Sequence, residues 1–279
     1  TGVQPGALPI SIAYAGWPVL EFRMRVHWNE ERRRLKLAVP TRLADAFLEC
    51  EVPGGAVRRP ADGQEHVHRR WLVLTGVLDG RAISLAVINN GQNGYDFTNS
   101  EVRLSVLRSA AYCHEQGFQI GPVPSRKFMD QGVHDIRLLV TLGDPGSVRR
   151  RVSGLADWLS APPPVYAHLP IGANAAGRPF LRLTPEHVRL LACKPASQGS
   201  GLVVRIQETA GEPTLGELEV DGSPVMPLAL QPWEIKTLLL ERGGPWRNVP
   251  MLGEGRTSDH AQRCEVSGPG SRASGPSQS

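Results

Sequence analysis

The chain has 279 residues, of which 41% are hydrophobic and 21% charged, with a net charge of +4. That length suits one large domain or two small ones. The excess charge is small and spread along the chain, which argues against a nucleic-acid partner. No apolar run reaches the length of a membrane span, so no membrane role is expected. The four cysteines, Cys50, Cys113, Cys193 and Cys264, lie far apart with no CxxC pair. This excludes a zinc ribbon or a dithiol redox motif and calls for no oxidising compartment. No signal-peptide pattern is visible. A soluble protein with a cytoplasmic setting is favoured, and a start at Thr1 reads as a fragment or processed product.

In chain order the elements are mostly strands. Ile10–Tyr14 reads as a leading strand. Phe22, Met24, Val26 and Trp28 alternate with Arg23, Arg25, His27 and Asn29. Period-two alternation puts the first set on one face of a strand and the second on the other. Asn29-Glu30-Glu31-Arg32 is polar and turn-prone. Arg34–Val39 alternates again before Pro40, so residues 22–40 predict an arginine-decorated β-hairpin. Leu48–Val52 and Ala56–Arg59 flank a Gly54-Gly55 turn, and Ala61–Arg69 reads as a polar loop. Trp71–Thr75 and Ala82–Ile88 flank Asp79-Gly80, a common hairpin turn pair. Residues 89–94 form a dense turn cluster. Glu101–Leu107 and Ile136–Leu142 complete the first set of strands.

One helix is expected near 148–159. Val148, Val152, Leu155, Ala156 and Leu159 recur at helical spacing, Ser147 reads as its N-cap, and Pro162-Pro163-Pro164 stops it. Pro170–Pro179 is a linker candidate. Beyond it Leu190–Lys194, Leu202–Glu208, Gly216–Val220 and Ile235–Leu240 give a strand-and-turn rhythm that favours a sandwich. Residues 267–279 are rich in Gly, Ser and Pro and predict disorder. The expected layout is a large β-sandwich over 1–168, a linker at 169–178, a small sandwich over 179–242 and a disordered tail over 243–279.

Five segments in order resemble the C-terminal β-region of the α-mannosidases of glycoside hydrolase family 38. Val26-His27-Trp28-Asn29-Glu30 with Leu35–Pro40 is similar to the family's VHWNE…LKLAFP stretch. Ile88–Gly91 with Asn93–Asp96, and Val102–Ser109, resemble its next two segments. Asp130–His134 precedes a long strand, as in the family, and Leu230–Thr237 resembles its closing segment. Together they span roughly residues 20–242. The departures are Gln92-Asn93-Gly94, Ser109-Ala110, His134-Asp135-Ile136 and a longer loop from Ala111 to Met129.

The resemblance implies an all-β fold, an antiparallel β-supersandwich of the galactose-mutarotase-like type followed by a smaller β-sandwich. It also implies a retaining, zinc-dependent α-mannosidase acting on mannose-containing glycans. In that scheme two carboxylates flank the scissile bond, and zinc beside the nucleophile stabilises developing charge. Both carboxylates and the zinc ligands belong to an N-terminal catalytic domain that no segment here resembles. The chain alone is therefore expected to be inactive, to hold no catalytic residue, and to bind no zinc itself. Its implied partners are its own catalytic domain and, in the whole enzyme, a mannoside or oligosaccharide; a homo-oligomer is compatible.

Three residues on the long loop from Ser109 to His134 are the candidates for substrate contact: Arg126, Asp130 and His134. A surface loop that packs on the catalytic domain is the alternative for them. His66 and His68 could share a face toward a metal, but no third ligand is placed. Asp259, His260 and Cys264 fall in the tail, where nothing would organise them. The rival function is a non-catalytic carbohydrate-binding or protein-interaction module. The six tryptophans mostly sit at positions that predict burial, which weakens that rival.

Overall fold

The computed structural model describes residues 6–110, 128–165, 179–197 and 200–251. The first part contains β1 (Gly6–Tyr14), β2 (Trp17–Trp28), β3 (Arg34–Pro40), β4 (Ala44–Val52), β5 (Gly55–Arg59), β6 (His66–Val67) and β7 (Trp71–Leu78). It continues with β8 (Arg81–Asn89), β9 (Gly94–Thr98), β10 (Glu101–Arg108), β11 (Gly132–Gly143) and one helix, α1 (Pro145–Ser160). The second part contains β12 (Leu181–Thr184), β13 (Val188–Pro195), β14 (Leu202–Glu208), β15 (Thr214–Val220), β16 (Met226–Leu230), β17 (Ile235–Leu240) and β18 (Trp246–Asn248). A seven-stranded sheet, ordered β1-β2-β11-β8-β7-β4-β5, faces a four-stranded sheet, β3-β10-β9-β6. In the second part a three-stranded sheet, β12-β15-β16, and a four-stranded sheet, β13-β14-β17-β18, enclose a core of their own. The fold is the expected antiparallel supersandwich followed by a smaller sandwich.

The hairpin predicted over residues 22–40 is not a hairpin. Both strands form, but β2 lies between β1 and β11, while β3 pairs with β10 in the other sheet. The alternation marks the buried faces correctly but does not specify the pairing. Phe22, Met24, Val26 and Trp28 line one wall of the main core, and Leu35, Leu37 and Val39 line the opposite wall. Two adjacent strands that both point apolar side chains inward can close a sandwich as readily as a hairpin. The link between them decides. Arg32 takes a left-handed backbone (φ 55°), and its N–H donates to Ser109 O, while Ser109 N–H donates to Arg33 O. The link thus pairs with the end of β10, carrying the chain across to the second sheet. Trp28 closes this corner, 6% exposed, with its indole N–H donating to Ser109 Oγ. Emptying a site of that size typically costs about 3–5 kcal/mol.

The outer face of the large sheet is covered by α1. Val148, Val152, Ala156 and Leu159 pack on Trp71, Val73, Ala86, Ile88 and Leu139. The helix starts one turn earlier than expected. Asp144, not Ser147, is the N-cap, its carboxylate accepting the Ser147 N–H at 3.0 Å, and Pro145 begins the helix, where its missing N–H is harmless. β9 arises from the expected turn cluster and its sequel. Tyr95, Asp96 and Phe97 are all buried, and Asp96 is neutralised by Lys36 and Arg103. β12, β16 and β18, also not foreseen, are short edge strands. Pro227 is tolerated in β16 because an edge strand can dispense with one ladder donor. β18 lies past the expected boundary at 242, so the second sandwich extends into the expected tail. The linker at 169–178 and residues 252–279 lie outside the described residues. No helix among the described residues is long and apolar enough to cross a membrane.

One charged group sits in the sheet itself. Glu21 on β2 is fully buried, yet three donors converge on it: Arg23 Nε at 2.7 Å, Arg137 Nε at 2.8 Å and the Tyr14 hydroxyl at 2.5 Å. Burial pushes its carboxyl up, but hydrogen bonds from Arg23, Tyr14 and Arg137 overcome that and hold it at about 2. The arginine face of β2 is therefore partly a counter-charge for a buried carboxylate. A depressed carboxyl contributes stability above its unfolded value and loses it as pH falls toward the folded value. Urea unfolding of the wild type and Glu21→Gln between about pH 6 and pH 2.5 checks this. The wild type should lose its advantage over the variant below about pH 4.5, where an unfolded glutamate protonates; a constant difference would contradict it.

Candidate functional site: a polar cleft between the two sandwiches

The two sandwiches meet along α1, and a cleft of about 220 Å³ opens at the junction. Its walls come from the ends of β4 and β7, from α1, from β13 and β14, and from Trp233. Ion pairs line it. Arg70, immediately before β7, donates Nη2 to Glu51 at 2.5 Å and Nη1 to Asp157 of α1 at 2.5 Å. Arg189 of β13 reaches the other Asp157 oxygen through Nε at 2.8 Å and Nη2 at 2.7 Å. Asp157 therefore holds one guanidinium from each sandwich. Burial works against the charge of Arg70, but the carboxylates of Glu51 and Asp157 prevail and raise its pKa.

A stack of side chains forms the rear of the junction. The Arg149 guanidinium lies 4.6 Å from the ring centres of both Trp71, in the large sheet, and Trp233, in the small sandwich. Such cation–π contacts are worth roughly 0.5–2 kcal/mol each, more when water is excluded. Burial lowers the Arg149 pKa, with Glu49 and Glu208 acting against the fall. Further bonds cross the junction: Gln207 Nε2 to Gly54 O at 3.1 Å, Arg149 Nε to Ala210 O at 3.2 Å, and Arg150 Nε to Glu212 Oε1 at 2.7 Å.

Trp233 is placed by its backbone. It is one of the few non-glycine residues with positive φ, at 63°. The fully buried Glu208 carboxylate accepts the Trp233 N–H at 2.8 Å and also the N–H groups of Ala210 and Gly211. One carboxylate thus ties the loop after β14 to the loop before β17. Satisfying three backbone donors offsets the cost of burying its charge. The Trp233 ring then lies over two glycines. A Cβ on Gly211 would stand 2.8 Å from its Cζ2, while one on Gly55 would make ordinary contact at 3.6 Å.

Asp130 and His134 do not line this cleft. They sit at the start of β11, beside the link from β2 to β3. Asp130, at φ 56°, accepts the Arg108 N–H through Oδ2 at 3.1 Å, and His134 Nε2 lies 2.9 Å from Asp130 O. Gln131 between them donates to Glu30 O at 2.6 Å. These contacts fasten the corner where the chain leaves β10 and enters β11. Arg126 lies outside the described residues, as do Asp259, His260 and Cys264. His66 pairs with Asp62 at 3.0 Å. His68 is buried against Asn89 and Tyr95, and burial pushes its pKa down to about 4. Among the described residues no group of three or more His, Cys, Asp or Glu side chains could hold a metal ion.

The cleft residues escape a reading of local pattern because they come from distant segments. The one available signal was Trp233, within the Leu230–Thr237 segment, whose left-handed backbone no alternation reveals. Chemically, Glu51 and Asp157 direct their oxygens to arginine, so neither is placed as a free nucleophile or proton donor. The arrangement suits binding and joining. A matched pair of substitutions tests the fit around Trp233. Gly211 (φ +77°) and Gly222 (φ +75°) share a backbone conformation, but nothing lies within 4 Å of a Cβ at Gly222. Gly222→Ala should cost about 1 kcal/mol of backbone strain. Gly211→Ala should cost about 1–3 kcal/mol more, because the Trp233 ring must shift as in an overpacked core. Equal losses in urea unfolding would show that Trp233 is not seated as described.

Residues 9–119 match the family model described as "Glycosyl hydrolases family 38 C-terminal domain". Among solved structures, the chain is similar to an α-mannosidase from Enterococcus faecalis V583, with a TM-score of 0.68 and 18% identity. That likeness covers 84% of this chain and 29% of the other. It is also similar to a protein of glycosyl hydrolase family 38 from Enterococcus faecalis, with a TM-score of 0.64 and 19% identity, over 81% of this chain and 28% of that one. No curated protein matches the sequence. The chain spans less than a third of the length of the structures it resembles. At these identities the structural likeness speaks for the fold alone, and residues 9–119 are similar in sequence to the glycosyl hydrolase family 38 C-terminal domains.

Proposed function

We propose that this chain is the β-rich C-terminal part of a retaining, zinc-dependent α-mannosidase, supporting a separate catalytic domain and walling its sugar site. The observation that carries this reading is the family match over residues 9–119, on a fold shared with an α-mannosidase three times as long. A further observation supports it. The cleft carboxylates are held by arginines rather than poised for acid–base chemistry. On this reading the zinc is held by residues of the catalytic domain. Within the proposal, the corner at Asp130 and His134, with Arg126 close by in sequence, is the part turned toward the sugar. Asp130 is exposed and His134 half-buried, and both are anchored to the backbone, which suits a fixed wall.

The test is hydrolysis of p-nitrophenyl α-mannoside by this chain alone and by the chain joined to a family 38 catalytic domain. The chain alone should show no turnover, and the joined protein should be active. In the joined protein, Ala at Arg126, Asp130 or His134 should lower kcat/KM for at least one, by about tenfold if a charged hydrogen bond to the sugar is lost. Turnover by the chain alone, or no gain from its presence, would overturn the reading. Saturable mannoside binding by the isolated chain would favour the rival carbohydrate-binding module.

A further inference from the structure

The interdomain cleft has more donors than acceptors. Three arginines line it, Arg69, Arg70 and Arg189, against two carboxylates, Glu51 and Asp157. Those carboxylates are already engaged. Both Glu51 oxygens receive Arg70, and the two Asp157 oxygens receive Arg70 and Arg189. Arg69 is the surplus cation. Its side chain is 57% exposed and approaches Glu51 no closer than 3.9 Å. Behind it, Arg149 is answered by Glu49 and Glu208, so the surplus at the cleft stays with Arg69.

A second observation points the same way. Trp71, which lines the cleft, is 1% exposed, yet its indole N–H has no partner. Arg149 Nη1, stacked on that ring, has none either. Both are donors. A buried donor without an acceptor costs about 1–3 kcal/mol, so an acceptor delivered to the cleft beside Trp71, which lines it, would relieve a cost the fold now carries. A neutral polyol would need protein acceptors for its hydroxyls, and the carboxylates have few left. An oxyanion supplies only acceptors, and guanidinium groups bind carboxylate and phosphate in a bidentate manner. The volume, about 220 Å³, is below the range of roughly 300–1,000 Å³ that houses drug-sized ligands. The occupant is therefore small.

We infer that the cleft between the two sandwiches is a binding site for a small oxyanion, a carboxylate or phosphate group. Arg69, held by Glu51 no closer than 3.9 Å, supplies the surplus charge, and the remaining N–H groups of Arg70 and Arg189 supply direction. The inference stands on this chain's own residues and does not require the mannosidase reading. The ligand would also fasten the two sandwiches, since Arg70 and Arg189 come from different ones.

The test uses the full chain at low ionic strength, with ¹⁵N-labelled tryptophan to follow the indole N–H signals. Inorganic phosphate, D-glucuronate and D-glucose are titrated separately. The Trp71 signal should shift saturably with phosphate, with glucuronate or with both, and not with glucose. A response to phosphate alone assigns the site to phosphate groups, and a response to glucuronate alone assigns it to carboxylates. Arg69→Ala should weaken the response about tenfold or more, as expected for one charge-assisted hydrogen bond, at an unchanged melting temperature. Arg25→Ala, on a distant part of the sheet, should leave it unchanged. No saturable shift with either anion, an equal response to glucose, or full binding by Arg69→Ala would overturn the inference.

Discussion

Asp157 is the point on which the rest of the molecule turns. It lies on the helix that covers the large sheet, and it receives Arg70 from that sheet and Arg189 from the small sandwich. Without it two guanidinium groups, each about one-third exposed or less, would face each other across a cleft. Pairs of this kind add little net stability, because desolvation offsets most of the Coulomb gain. What they supply is geometry. Removing one partner is costly, so the arrangement tolerates few alternatives. Arg149 between Trp71 and Trp233 adds dispersion and cation–π attraction to the same joint. A polar network fixes the angle between the sandwiches, and an aromatic stack holds them together at it.

This joint separates two roles that the family name merges. A glycosidase of the implied type needs two carboxylates free to donate or attack across a sugar. The two carboxylates of the cleft, Glu51 and Asp157, are bound by arginine, and Glu208, which holds Trp233, serves three N–H groups. A fold hosts many functions, and chemistry must be argued from the site. Here the site argues for holding, both of one sandwich by the other and, on our inference, of a small anion between them. That agrees with the supporting role proposed above.

Much of the fold was legible because strands with one buried face announce themselves. The alternation in residues 22–28 and 101–107, the turn at Asp79-Gly80 and the helical spacing of residues 148–159 all produced the elements expected. The pairing of those strands was not legible. Period-two alternation states which face is buried, not which neighbour lies alongside, so β2 and β3 passed for a hairpin. β9 was hidden because Gly94 and Asp96 are poor strand formers, and Asp96 is admitted only by Lys36 and Arg103 from other strands. The cleft was hidden for the same reason. Arg70, Asp157 and Arg189 are separated by tens of residues, and nothing local marks them as partners. By contrast, Asp130 and His134 stood out in the sequence, and the structure gives them a corner to fasten, through Arg108 and the backbone of Asp130.

The two sandwiches behave as one body joined through Asp157 and the Arg149 stack. Calorimetric unfolding of the whole chain tests this most directly, comparing the wild type with a variant carrying Arg189→Ala and Trp233→Ala. The wild type should unfold in a single transition, and the variant should release the small sandwich in a separate transition at lower temperature. Two independent transitions in the wild type, or one unshifted transition in both proteins, would contradict it.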